Sequence, residues 1–337
     1  GQSNTVILKK VSSTGYRPND NGVPDVAPEE IFLPLDLTPW NRVKDLKTDV
    51  TMTEVLVTGG GNALRLAVLG ASDNTRIIVE DSLSYEGAID IDGFNKLAII
   101  VKTGETPTID GVLASSRYAF KLIGACVDIL IQGFEIKDMI PSPSDFHTQS
   151  GIVLGDGEAS LVDDMEWIVL QDLDIHNTGR QGITASKDGN QITAGAYPVR
   201  SLLIQDCLVR DLSYLTVVPT NIYEAGIHLR KTKDSVIYNS VVRDIYGRLA
   251  LLEDNQNLEI RGCLFQNTIA GESSTLEGIV IESQDLVDWN FNDIRIINTT
   301  IKDCEQGVTI DSDEGYLDVF FNHDVFDTCN TAIDLEK

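Results

Sequence analysis

The blocks QGFEIKDM (132–139), QDLDIHNT (171–178), QDCLVRDL (205–212), YNSVVRDI (238–245), RGCLFQNT (261–268), INTTIKDC (297–304) and FNHDVFDT (321–328) decide how this chain folds. Aligned, they hold their seventh column to Asn or Asp: Asp138, Asn177, Asp211, Asp244, Asn267, Asp303 and Asp327. The fifth column is apolar throughout: Ile136, Ile175, Val209, Val242, Phe265, Ile301 and Val325. Polar residues flank it, so odd positions face inward and even positions outward, as on a strand. The blocks start 39, 34, 33, 23, 36 and 24 residues apart. Helical repeats keep a tighter period. Unequal spacing around a fixed strand-and-bend unit marks a β-coil whose turns accept insertions.

Most blocks are followed by a second strand: GIVL (151–154), GITA (182–185), GIHL (226–229), GIVI (278–281), GVTI (307–310) and AIDL (332–335). Each coil therefore has at least two short strands joined by an Asx-marked bend. Stacked coils set equivalent residues roughly 4.8 Å apart, so an Asn or Asp in the bend can bond its own backbone and that of the next coil. TRIIVEDS (75–82), GAIDIDG (87–93), LAIIVKTG (97–104) and TPTIDG (106–111) read as the first coils. Residues 1–60 have no clean periodicity, and we expect an arm or cap over the first coil, since an open sheet edge needs covering. Residues 61–337 form the solenoid.

On the repeat blocks and paired strands, residues 76–337 resemble the right-handed parallel β-helix superfamily of pectate lyases, polygalacturonases and related polysaccharide enzymes. The resemblance implies an all-β, single-stranded right-handed parallel β-helix, with a substrate groove along one stacked sheet. It carries no particular activity. The NTD, GDD, GHG and RIK series of polygalacturonases is absent, as are the Asn- and Arg-rich coils of chondroitinase-B-like and alginate lyases.

Composition narrows the partners. Fifty-two acidic residues against 26 basic ones give a net charge of −26, which argues against nucleic acid, whose phosphates need a basic surface. No run of about 18 apolar residues is present to span a membrane. The opening GQSN lacks Met and a charged-then-apolar leader, and we read it as a mature secreted or surface form after a tag-derived Gly1. A monomer is expected. None of the five cysteines, Cys126, Cys207, Cys263, Cys304 and Cys329, forms a CxxC pair. Cys304 and Cys329 follow the Asx column in consecutive coils, close enough for a disulfide.

Two faces could carry chemistry. Beside the Gly-Ile strand stand Arg180, Glu224, Arg248, Glu277 and Glu305, with His228, Arg230, Glu253 and Glu282 at its outward positions or in the Gly-less coil 248–254. We take Glu224, His228, Arg230, Arg248, Glu253 and Glu277 as candidate catalytic residues. Arg180, Lys187, Tyr214, Tyr223, Glu282 and His147, partly on long loops, are candidates for substrate binding. The second face is a basic stripe, Lys137, His176, Arg210, Arg243, Gln266 and Lys302; ion pairing with neighbours such as Glu135 and Asp174 explains it better than a bound polyanion.

A glycoside hydrolase needs two carboxyl groups at a set separation. Glu224 and Glu277, two coils apart, would stand at about 10 Å, and Glu253 and Glu282, one coil apart, at about 5 Å. A lyase instead neutralises a uronate carboxylate, removes the C5 proton and assists the leaving oxygen, with cationic side chains beside Ca²⁺. His228, Arg230 and Arg248 among carboxylates favour a lyase acting on an acidic polysaccharide. A non-catalytic glycan-binding or adhesin domain is the alternative from another class. NDNGVPD (19–25) resembles half of a thrombospondin- or dockerin-type calcium loop, with Asn19, Asn21 and Asp25 as oxygen ligands around Gly22.

Overall fold

The computed structural model describes residues 7–9, 35–113, 115–139, 149–155, 165–185, 197–212, 225–269, 276–283, 292–312 and 317–336. Its strands form three parallel stacks, here sheets A, B and C, and each coil runs through all three in that order. Sheets B and C have nine strands each; sheet A has eleven, adding Thr53–Val57 at one end and Ile7–Lys9 at the other. The repeat blocks contain sheet B, the Gly-Ile strands are sheet C, and sheet A lies just before each block.

Sheet B strands are mostly three residues long with only the central side chain inward, as in Glu135–Lys137 and Asp174–His176. The inward column runs in register through Tyr85, Ile109, Ile136, Ile175, Val209, Val242, Phe265, Ile301 and Phe326. The Asx column has a conformational cause. Asp138, Asn177, Asp211, Asp244, Asn267 and Asp303 all have φ between 49° and 62°, the left-handed region that Asn and Asp enter most readily after Gly. That turn swings the chain from sheet B towards sheet C in very few residues. The side chains then link coils: Asn267 Nδ2 donates to Asp244 Oδ1 at 2.6 Å, and Asn177 donates to Asp138.

The last block departs from the expected register. Ile301 pairs with Phe326, not Val325, so the repeat there reads one residue later. A one-residue shift exchanges the faces of a strand: Val325 is 52% exposed while Phe326 packs against the core. Thr328, with φ 53°, takes the bend position assigned to Asp327. Asp324 then falls beside Thr299 in the inward third column, and its carboxylate accepts the amide hydrogens of Thr299 and Asn322 at 2.8 and 2.9 Å. Burial raises that carboxyl to about 7 despite the two amide donors.

The glycine column of sheet C reflects close approach. A Cβ on Gly182 would overlap the Val209 side chain and come within 2.8 Å of the Gly226 carbonyl. The same conflict recurs at Gly151, Gly226, Gly278 and Gly307. In these five coils a bare Cα lets the corner close, whereas Ala119, Leu249 and Ala332 hold the equivalent position in coils shaped differently there.

The outer face of sheet A changes character along the stack. One row reads Glu54, Arg76, Ala98, Leu130, Val169, Leu203, Val236, Glu259 and Arg295. Its apolar middle is covered by the helix Thr38–Lys44 and the following turn, through Trp40, Val43 and Leu46. Trp40 Nε1 donates to the Ser201 carbonyl at 3.0 Å. This helix lies within the segment that lacked periodicity. A second helix, Ala63–Leu69, sends Leu64 and Val68 into the main core at the first coil. Ile7–Lys9 pairs antiparallel with Leu317–Asn322, at the opposite end from the coil the arm was expected to cover. That strand is an edge without it, which explains the preference.

Candidate functional site

Strand register on sheet C sorts the candidates into rows one coil apart. Ser150, Gln181, Ala225 and Arg248 are successive partners, and Glu277 continues to Gln306. Thr184, His228, Leu251, Val280 and Thr309 form the next row, and Arg230, Glu253, Glu282 and Asp311 the third. The first row corrects the alignment of Arg180 and Glu305 with Arg248 and Glu277. Arg180 and Glu305 stand one residue earlier, at the bend, where the Arg180 amide bonds the Gln149 carbonyl at 3.0 Å.

The structure brings His228, Arg230, Arg248, Glu253, Glu277 and Glu282 together on three adjacent strands, Ala225–Arg230, Arg248–Glu253 and Glu277–Ser283. His228 Nε2 meets Glu253 Oε2 at 2.5 Å, and Arg230 Nε lies 4.0 Å from the same oxygen. Arg248 Nε donates to Glu277 Oε2 at 2.8 Å, with its Nη2 4.0 Å from Glu282 Oε1. Burial alone would raise the Glu253 carboxyl. The His228 hydrogen bond, the His228 charge and then Arg230 and Arg248 outweigh it, so Glu253 is held below the ordinary carboxylate range. The coil edge carrying Arg230 is fixed by Asn255, whose Oδ1 accepts from the Thr232 amide and hydroxyl at 2.9 Å each while its Nδ2 donates to the Leu229 carbonyl.

Two features were not legible in the sequence. Gln181 extends the cluster: its side-chain amide meets His228 Nδ1 at 2.9 Å and accepts from Ser150 Oγ at 3.1 Å. Its place just before a Gly-Ile strand, equivalent to Arg248 and Glu277, was the signal available. Secondly, the outward face is largely buried. His228 is 3% exposed and Glu253 0%, and Ala225, Leu251 and Val280 form a small apolar cluster of their own. Alternation assigns a residue to a face but does not say what lies against it. Arg230, Arg248 and Glu282 retain part of their accessibility.

Glu224, Lys187, Tyr214, Tyr223, His147, Asn19, Asn21 and Asp25 lie outside the described residues. Among the described residues, no group of three or more His, Cys, Asp or Glu side chains is placed to hold a metal. Four of the six residues of the sheet B stripe are engaged in pairs: His176 with Glu135 at 3.0 Å, Arg210 with Asp174 and Asp211, Arg243 with Asp244 at 2.9 Å, and Gln266 with Asp303 at 3.2 Å. Local pairing accounts for these four residues.

The family model for the right handed beta helix region matches residues 122–337. The chain belongs to the right-handed β-helix family. Among solved structures, this β-helix is similar to pectate lyase Pel9A at 10% identity, over 87% of this chain and 82% of that one, with a TM-score of 0.55. It is also similar to a variant of the PL6 family alginate lyase AlyGC, at 10% identity over 79% of this chain and 39% of that one, TM-score 0.51. The enzymatically active domain of tailspike protein 2 from bacteriophage CBA120 matches at 12% identity, over 82% and 43%, TM-score 0.50. At these identities the likeness is one of fold. No curated protein matches the chain in sequence. Among the described residues, no helix is long and apolar enough to cross a membrane.

Proposed function

We propose that this β-helix protein is a secreted or surface carbohydrate-active enzyme, a lyase that acts on an acidic, uronate-containing polysaccharide at the outer face of sheet C. The observation that carries the reading is the convergence of His228, Arg230 and Arg248 with Glu253, Glu277 and Glu282 across adjacent coils of a chain with net charge −26. A solenoid does not need buried cations to stack. In an elimination, Arg230 and Arg248, at the accessible margin, would neutralise the uronate carboxylate and so acidify the C5 proton. His228 would be the base through Nδ1, taking the C5 proton there once substrate displaces the Gln181 amide, with Glu253 orienting the ring at Nε2.

The state of Glu253 weighs against it as the general acid of a hydrolase built on the Glu253–Glu282 pair and leaves it only the nucleophile's part. A general acid needs a raised pKa, and Glu253 is held lower by His228, Arg230 and Arg248. Calcium at Asn19, Asn21 and Asp25 belongs to the proposal as a separate site, and no step above depends on it. A second reading, a non-catalytic glycan-binding or adhesin domain, draws on the closed pairs His228–Glu253 and Arg248–Glu277.

The test is incubation with pectate, alginate and glycosaminoglycans while following absorbance of an unsaturated uronate product. The lyase predicts new absorbance on one of these polymers, and a loss of about 100-fold or more in kcat/KM for Arg248→Ala. New reducing ends without absorbance would point to the hydrolase. Neither signal across a broad glycan panel would overturn the lyase and favour the binding domain.

A further inference from the structure

The corrected register of the last coil places Cys304 and Cys329 at equivalent positions, each three residues beyond the paired Ile301 and Phe326. Pairing continues up to them, since the Asp303 amide bonds the Asp327 carbonyl at 3.1 Å and Thr328 Oγ1 at 3.2 Å. Stacked positions in parallel coils lie roughly 4.8 Å apart at Cα, inside the window a disulfide requires. Both thiols are free in this structure, and each acts electrostatically on the other. Cys304 Sγ lies 3.3 Å from the Lys302 carbonyl, and Cys329 Sγ, from the next coil, lies 3.6 Å from the adjacent Ile301 carbonyl. In other coils the same column holds buried Met139, Thr178, Leu212, Ile245 and Thr268. The other three cysteines have no such neighbour: Ser240 separates the coils of Cys207 and Cys263, and Cys126 lies near the first coils.

We propose that Cys304 and Cys329 form an inter-coil disulfide that staples the terminal coil to the solenoid. The site is independent of the chemistry proposed for sheet C. The bond would tie the coil of Val325–Asp327 and Thr331–Glu336 to the coil of Thr300–Lys302 and Gln306–Ser312. The oxidant is a small-molecule or protein disulfide. Cys329, the more exposed thiol, attacks it as thiolate, forming a mixed disulfide and releasing one thiol. Cys304 then attacks the Cys329 sulfur and releases the second. Two protein thiols and one donor disulfide thus become one protein disulfide and two donor thiols. Burial holds the Cys304 thiol up at about 12, with Cys329 also raised. Exchange in the folded chain is therefore slow, and bonding is fastest while the last coil is still forming.

The full chain should be refolded in oxidised glutathione, alkylated under denaturing conditions and mapped without reduction. Three thiols, Cys126, Cys207 and Cys263, should take up label, with a single cross-linked peptide pair joining Cys304 and Cys329. Reduction should lower the Tm of the oxidised protein by about 3–8 °C. Cys329→Ser should fold and lose that sensitivity. Cys304→Ser, which buries a hydroxyl, is the less informative variant. Alkylation of all five cysteines after refolding, or a different cross-linked pair, would overturn the proposal. A bond whose reduction leaves Tm unchanged would overturn its role as a staple.

Discussion

On the outer face of sheet B, Arg210 reaches both oxygens of Asp174 at 3.1 Å, with its side chain 23% exposed and that of Asp174 37%. On the outer face of sheet C, His228 and Glu253 meet at 2.5 Å with the Glu253 side chain 0% exposed. The two faces draw on the same residue types at the same coil spacing, yet their energetics differ. A pair left in partial contact with water is weak and largely neutral for stability. A pair withdrawn from water must offset the desolvation of both partners, so its loss exposes an uncompensated charge. The paired residues of the sheet B stripe therefore need no explanation beyond local pairing, whereas the sheet C cluster calls for a reason such as function.

The sharpest break in that comparison is Glu253→Ala. It leaves His228 and Arg230 beside a vacated carboxylate, and should cost about 3–5 kcal/mol in denaturant unfolding. Glu253→Gln, which keeps the shape, should retain more stability and still abolish the proposed elimination. If Glu253→Ala unfolds at the wild-type midpoint, burial has not made this cluster different from the stripe.

Next comes the scaffold shared by both faces. Gly182→Ala would push a methyl group between Val209 of sheet B and the Gly226 carbonyl of sheet C. Overpacking at this corner should cost about 1–3 kcal/mol, measured as a lower Tm with near-unchanged far-UV circular dichroism. An effect this size would show that glycine at the corner is a packing requirement, distinct from any charge on either face.

A buried and a half-buried carboxyl with opposite shifts extend the contrast to pH. Glu253 is held low, so its contribution is present above the ordinary carboxylate value near 4.5 and disappears as pH falls through its lower folded value. Asp324 is raised from 3.8 to about 7. The folded chain binds a proton there that the unfolded chain releases, so stability should decline as pH rises between those two values. Asp324→Asn should flatten the decline in denaturation midpoint across that window. A wild-type midpoint that stays level there would refute the assignment of Asp324 to the interior.

These residues also mark where the sequence could be read. The Asx column was legible because a left-handed bend restricts side-chain choice in nearly every coil, and the apolar fifth column because one face of sheet B fills the core. Beyond the first coils sheet A was hidden: strands such as Val127–Gln132 join sheet B through so short a bend that the two merge in the sequence. The slip at Val325 and Phe326 arose because NHD at 322–324 offers two Asx-like registers, and only packing of the larger Phe326 decides between them. Thr38–Lys44 escaped notice because seven residues show too little helical period, and its helix is held by Trp40 and Val43 against sheet A. The charged cluster could be named from strand position, but its closure into pairs and its burial depend on neighbours far away in sequence.

The smallest effect is expected at Arg210. Its guanidinium lies between Asp174 and Asp211, and the two hydrogen bonds to Asp174 raise its already high pKa. That shift adds almost nothing to stability at neutral pH, because the group is charged in both folded and unfolded chains. What Arg210→Ala removes is a partly hydrated ion pair, about 0.2–1 kcal/mol by double-mutant cycle with Asp174→Ala. The coupling should shrink further as ionic strength rises, because solvent-exposed charges are screened. Glycan turnover should be unchanged in both variants. A coupling well above that range, insensitive to salt, would mean that the sheet B face is as withdrawn from water as the sheet C face. Burial would then no longer distinguish the sheet C cluster from the sheet B stripe.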